Sequence, residues 1–98
     1  MEAQELKIVE RSPLARISRA LLRSKNVAMV LGETIHLSGA TREEFLHNDR
    51  WVRHELAHVE QFRRYGFWRF LGLYLLESLR RGYMNNRFEV EARAAERG

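Results

Sequence analysis

The chain has 98 residues, 45% of them hydrophobic, with no internal repeat and no linker-like shift in composition, which suits one small domain and excludes a disordered chain. It has no cysteine, so disulfides and thiolate metal ligands are excluded and any transition-metal site must use histidine and carboxylate. Lysine and arginine number 17 against 13 acidic residues, a formal charge of +4, but they are interleaved with glutamates, most visibly from Arg87 to Arg97, rather than forming the coherent stripe of a nucleic-acid binder.

The N-terminus, Met1-Glu2-Ala3-Gln4-Glu5, is acidic and leads into no continuous apolar run, which argues against a secretory signal and for a cytoplasmic location. Ser12 as cap and Pro13 at the first helical position open a helix to about Ser24. Leu14, Ile17, Leu21 and Leu22 are its apolar stripe, and Arg16, Arg19 and Arg23 lie on a solvated outer face. Val27 to Leu31 and Thr34 to Leu37, separated by Gly32-Glu33, predict a β-hairpin, whose second strand could offer an edge to an extended peptide. Ser38-Gly39 closes it, and Thr41-Arg42-Glu43-Glu44 matches a capping box that begins a short helical turn.

Asn48 or Asp49 can cap the next helix, which carries Val52, Leu56, Val59 and Phe62 as an apolar stripe and runs to about Tyr65. Gly66 suits a left-handed end there, with Arg63 and Arg64 at the negative end of the helix dipole. A further helix from Phe67 to about Arg81 places Phe70, Leu71, Tyr74, Leu75 and Ser78 on one stripe, widened by Leu76 and Leu79, and is expected to be mostly buried. The longest apolar run, Phe67 to Leu76, is broken by Arg69 and is far shorter than the roughly 20 residues of a membrane span. Gly82 stops this helix, and Asn85-Asn86 precede a last one from about Arg87 to Arg97. The fold class expected is α+β: a small, mostly helical single domain over residues 1–98, with one short hairpin.

The chemistry is concentrated in His54-Glu55-Leu56-Ala57-His58. Histidines four apart on a helix lie on one face about one turn distant, so His54 and His58 can point ring nitrogens at one ion. Glu55 sits about 100° round from His54, unable to join as a ligand but placed to lean toward a water on the metal as general base. Zinc held by three protein groups keeps a fourth position open and lowers the pKa of water there to near 7, a chemistry suited to peptide hydrolysis. Two surface or capping histidines falling in register by chance are the bland alternative. The cap, apolar stripe and terminal glycine around the motif weigh against it.

His54-Glu55-Leu56-Ala57-His58-Val59-Glu60-Gln61, followed some thirty residues on by Asn85-Asn86-Arg87-Phe88-Glu89-Val90-Glu91-Ala92, resembles the gluzincin zinc metallopeptidases, and more closely their minimal single-domain members, the minigluzincins. The resemblance covers about half of the chain, from Asn48 onward. It implies that His54, His58 and a glutamate from the later helix bind Zn2+, that Glu55 is the catalytic base, and that the substrate is a peptide or protein. On this resemblance the third ligand is Glu89, because the family places a small residue three positions after its ligand and Ala92 stands there. A helical wheel drawn from Phe88 points instead to Glu91, near the middle of the broad face of Phe88, Val90, Ala92, Ala94 and Ala95. A Glu89 at the third position of a helix capped by Asn86 would simply reach back to the backbone. Many gluzincins carry an aspartate four residues after the ligand to hydrogen-bond a zinc histidine; here that residue is Arg93, so such support must come from elsewhere. The resemblance also allows a latent enzyme whose terminal segment covers the metal.

Other residues carry less. Gln61 is either a partner of the metal ligands or, by default, a helix-surface glutamine. Tyr83 is either a hydroxyl for an oxyanion or an aromatic packed beside Gly82. His36 and His47 lie outside the helical register and are expected to be bystanders. The function expected is a zinc metalloendopeptidase; the alternative is a catalytically silent zinc-stabilised module that binds a protein partner through its arginine-rich surface.

Overall fold

In chain order the elements are β1 (Lys7–Val9), α1 (Pro13–Leu22), β2 (Val27–Leu31), β3 (Thr34–Ser38), α2 (Arg42–Leu46), α3 (Asp49–Tyr65), α4 (Phe67–Arg81) and α5 (Arg87–Ala95). The structure is a computed structural model and describes residues 7–97; Met1–Glu5, on which the cytoplasmic expectation rests, lies outside them. Ser12 caps α1 by accepting from the Ala15 N–H, and Arg23 ends it in the left-handed region at φ 53°. Thr41 and Glu44 form the expected reciprocal capping box on α2. Asn48, not Asp49, caps α3, its Oδ1 accepting from the Trp51 N–H at 3.1 Å.

Gly66 does have positive φ, but its ψ of 155° makes it extended rather than left-handed helical. It is the whole connection between α3 and α4, closing one helix through its N–H to Phe62 O at 2.8 Å and opening the next through its carbonyl to Phe70 N at 2.9 Å.

The hairpin forms between Val27–Leu31 and Thr34–Ser38, and a third strand that the sequence reading lacked, β1, adds parallel to β3. The sheet order is β1-β3-β2, so β3 is central and the expected Thr34–Leu37 edge is already paired on both sides. The outer strand of the hairpin is β2. Alternation along β3 sends Ile35 and Leu37 into the core with Val59 and Phe62 of α3, Phe70 of α4 and Phe88 of α5. His36 points the other way, to the Ser12 hydroxyl at the start of α1. β3 therefore lies between the start of α1 and the core it shares with α3, α4 and α5. The Arg63 guanidinium donates twice to Glu33 Oε1, at 3.1 and 2.7 Å, and ties the hairpin turn to α3.

Two helices depart from expectation. In α1 the buried residue is Ala15, while Leu14, Ile17 and Leu21 are 48%, 59% and 79% exposed, so the predicted apolar stripe does not face the core. In α4 only Phe70 is fully buried, and Leu75, Leu76 and Leu79 are exposed, so this helix is half-covered rather than mostly buried. The physical reason is shared: the sheet meets α1 on its small-residue side, and α3 has one flank to offer α4. Among the described residues no helix is long and apolar enough to cross a membrane.

Gly39 shows how tightly α1 and the hairpin are joined. Its φ is +84°, and a Cβ there would stand 2.2 Å from the Lys25 carbonyl oxygen, whereas Gly66, at φ +86°, has open space around it. Gly66→Ala should cost about 1–3 kcal/mol from backbone strain alone. Gly39→Ala should cost clearly more, as read from paired denaturant unfolding curves.

Candidate metal centre

His54 and His58 lie one turn apart on α3, and their Nε2 atoms reach the same oxygen, Glu89 Oε1, at 3.0 and 3.2 Å. The three residues each offer a ligand atom, and these lie within 4.8 Å of one another. Glu91 is not among them: it is exposed, 3.7 Å from Arg64, and accepts from Gln61 Nε2 at 2.8 Å. The buried face of α5 is Phe88, Glu89 and Ala92, so the wheel centred on Glu91 was turned by about half a face. A wheel places apolar side chains; it does not register that a carboxylate can be buried where two imidazoles wait for it. Nor does Glu89 reach back to the backbone, since both of its oxygens are engaged across the core.

Each of the three is held from behind by a different element. The Nδ1 of His54 is 2.8 Å from Glu96 Oε2, just past the end of α5. Glu96 is fixed in turn by Arg53, whose Nε and Nη2 donate to its backbone carbonyl at 3.0 and 2.7 Å. The support missing at Arg93 thus comes from a residue seven after Glu89, two helical turns on and on the same face. His58 Nδ1 donates to Gln61 Oε1 at 2.8 Å. Gln61 Nε2 donates to Phe88 O and Glu91 Oε1, and these two acceptors fix which way the amide points. Gln61 is fully buried, not a surface residue. On the far side, the Tyr74 hydroxyl donates to Glu89 Oε2. Glu96 and Tyr74 escaped the sequence reading; an i, i+7 search from Glu89 would have found the first, and Tyr74 was hidden among the apolar positions of α4.

The outer hydrogen bonds place a proton on Nδ1 of both histidines and turn both Nε2 lone pairs inward once a cation replaces their protons. Two imidazoles and one carboxylate oxygen, each braced from outside, fit a borderline divalent cation.

Electrostatics agree with a cluster built to hold positive charge. Burial works against a charged His54, but the carboxylates of Glu89 and Glu96 outweigh it and raise its pKa. Burial likewise opposes charge on His58, and Glu89, Glu55 and Gln61 raise it. Burial would raise Glu89, yet hydrogen bonds from His54, His58 and Tyr74 hold it well below the ordinary carboxylate range. Glu55 is buried against this group, and desolvation pushes it to about 8, with Glu89 and Glu96 adding to the rise.

Two cavities meet at His54 and Glu55. One, of about 330 Å³, runs between α1, β2 and α4; the other, of about 540 Å³, is bordered by Asn26, Asn48, Arg50 and Glu96. Tyr83 lines both, and burial pushes its hydroxyl up to about 12, so it remains a hydrogen-bond donor at neutral pH. His36 and His47 stand apart, the first on Ser12 and the second at the end of α2.

Glu96→Gln should leave the fold intact and weaken metal binding about 10- to 100-fold, measured by competition with a chromophoric chelator. The pH dependence of the metal-free protein follows from the same groups. Raised His54 and His58 stabilise the fold below the ordinary histidine value of 6.5, and this is lost as pH rises through their folded values. Glu55, raised to about 8, costs stability progressively as pH rises from its ordinary 4.5. Chelated protein should therefore melt lower at pH about 8 than at pH about 6, and added divalent metal should restore more at the higher pH, because binding releases protons.

No curated protein and no solved structure matches the chain. The family whose model matches is the eCIS core domain, over residues 9–66. That span is more than half of the chain and includes His54, Glu55, His58 and Gln61, ending before Tyr74, Glu89 and Glu96. With every element from α1 through α3 inside the matched span, the chain belongs to the eCIS core domain family.

Proposed function

We propose that this domain is a zinc-dependent metallopeptidase with Glu55 as its general base. The observation that carries the reading is the convergence of His54 Nε2, His58 Nε2 and Glu89 Oε1 beside the buried Glu55 carboxylate, at the junction of two cavities. A set of two imidazoles and one carboxylate with room beside it is the donor set of catalytic zinc sites, and the gluzincin resemblance of the histidine motif points the same way. Zinc, when bound, supplies Lewis acidity that makes water acidic near neutral pH and polarises a carbonyl.

The chain's own groups then have distinct tasks. Glu96, Gln61 and Tyr74 hold the ligands in place through their outer atoms. Glu55 accepts the proton of the attacking water and returns it to the leaving amine. Glu55, pushed to about 8 by burial, would be brought back to its ionised form at neutral pH by a dication beside it, and only the ionised carboxylate can accept a proton. Tyr83 offers its hydroxyl to the developing oxyanion. Family membership supports a setting within an extracellular contractile injection system, where the domain works alongside other proteins. The cytoplasmic location belongs to the same reading.

The alternative is a zinc-stabilised module that binds a protein without cleaving it, favoured by the exposure of Leu21, Trp68 and Leu79 at 79%, 79% and 86%. One substitution separates the two. Glu55→Gln keeps the shape of the side chain and removes its basicity, so zinc content should be unchanged while peptide cleavage falls about 10²- to 10⁴-fold. Wild-type protein that holds zinc, including forms with trimmed termini, yet cleaves nothing in a broad peptide library would leave the module as the function.

A further inference from the structure

The smaller cavity opens at one end onto His54, Glu55, His58 and Glu89, and aliphatic side chains from three separate elements wall it: Leu21 and Leu22 of α1, Met29 and Leu31 of β2, Leu71 and Leu75 of α4. Its other polar lining side chains are Tyr74, Tyr83 and Ser18, and the Ser18 hydroxyl donates to Met29 Sδ. The larger cavity, which shares His54, Glu55 and Tyr83 with the first, is bordered by Asn26, Asn48, Arg50 and Glu96. Glu55 therefore borders one cavity with mostly aliphatic walls and one with a more polar border.

We propose that the site selects peptides carrying a bulky aliphatic or aromatic side chain on one side of the bond presented to Glu55, with that side chain seated between α1 and α4. The proposal rests on the peptidase reading of the metal centre. At about 330 Å³ the cavity lies at the small end of ligand pockets, roughly 300–1,000 Å³, a size that takes a side chain more readily than a cofactor. A lysine or aspartate side chain would lose its water there against walls that are mostly aliphatic. From the apolar stripe of α1, Leu21, 79% exposed, supplies one lip of the mouth, and Leu75, 54% exposed, supplies the other. An apolar lip left in water is the surface feature expected of a binding groove. The occupant is an extended peptide because the cavity is continuous with the candidate catalytic groups and runs along β2, the outer strand of the hairpin.

The test uses zinc-loaded Glu55→Gln protein, which should bind without cleaving, and fluorescein-labelled hexapeptides of serine and asparagine with one central residue varied. Peptides with Leu or Phe at that position should bind at least about tenfold tighter than those with Ala, Asp or Lys. Leu75→Asp, and independently Leu21→Asp on the opposite lip, should each remove that preference with zinc content and circular dichroism unchanged, while Leu75→Met keeps it. Equal binding of Leu and Asp peptides, no binding of any peptide, or indifference to both aspartate substitutions would overturn the proposal. The two readings fail differently. Selective binding by a wild type that cleaves none of these peptides would sink the peptidase reading and leave the apolar cleft standing, whereas cleavage without regard to the central residue would do the reverse.

Discussion

The carboxylate of Glu89 is the point on which this structure turns. It is almost completely buried, 3% exposed, and it takes hydrogen bonds from two histidines of α3 and a tyrosine of α4 while sitting on α5. A buried carboxylate is costly unless its oxygens are fully engaged, and here each has a donor. The consequence is geometric. Three helices that share only a modest aromatic core are brought to one register by a single charged group, and among the described residues no buried side-chain polar atom is left without a partner.

That arrangement explains why the outer supports come from where they do. With Arg93 directed to the Met84 carbonyl, the end of α5 is free to bring Glu96 back toward α3, and Arg53 holds it there by its main chain. Gln61 makes the same kind of link, tying the His58 ring to the first turn of α5. Both supports join α3 to α5, so the pair of helices and the geometry of the candidate ligands are set by the same bonds. A disturbance at the α5 terminus is therefore felt at His54 without any change in the candidate ligands themselves.

The apolar faces left outside the core belong to the same design. A chain of 98 residues has little material to spare, and α1 and its cap use Ala15 and Ser12 against the sheet while Leu21 and Leu22 border a cavity. Burial that would have added stability to the core is instead exposed beside Glu55. Small domains have few kcal/mol in reserve, and contiguous apolar surface left in water is the kind that marks interaction sites.

The sequence by itself determined what depends on near neighbours. The four-residue spacing of His54 and His58, the capping box at Thr41 and Glu44, the breaks at Gly66 and Gly82 and the hairpin about Gly32 are all settled by bonds within a few residues, and each is in place. Tertiary structure decided the rest. The parallel strand β1 pairs with a segment more than twenty residues away, a contact with no local periodicity to reveal it. The choice of Glu89 over Glu91, the burial of Gln61 and the arrival of Glu96 and Tyr74 all turn on which way α5 and α4 are rotated against α3. Helical periodicity lays out the faces of each helix, but only packing against the other elements selects the one that faces inward, and one buried and one half-buried imidazole outweighed the apolar centre of the wheel.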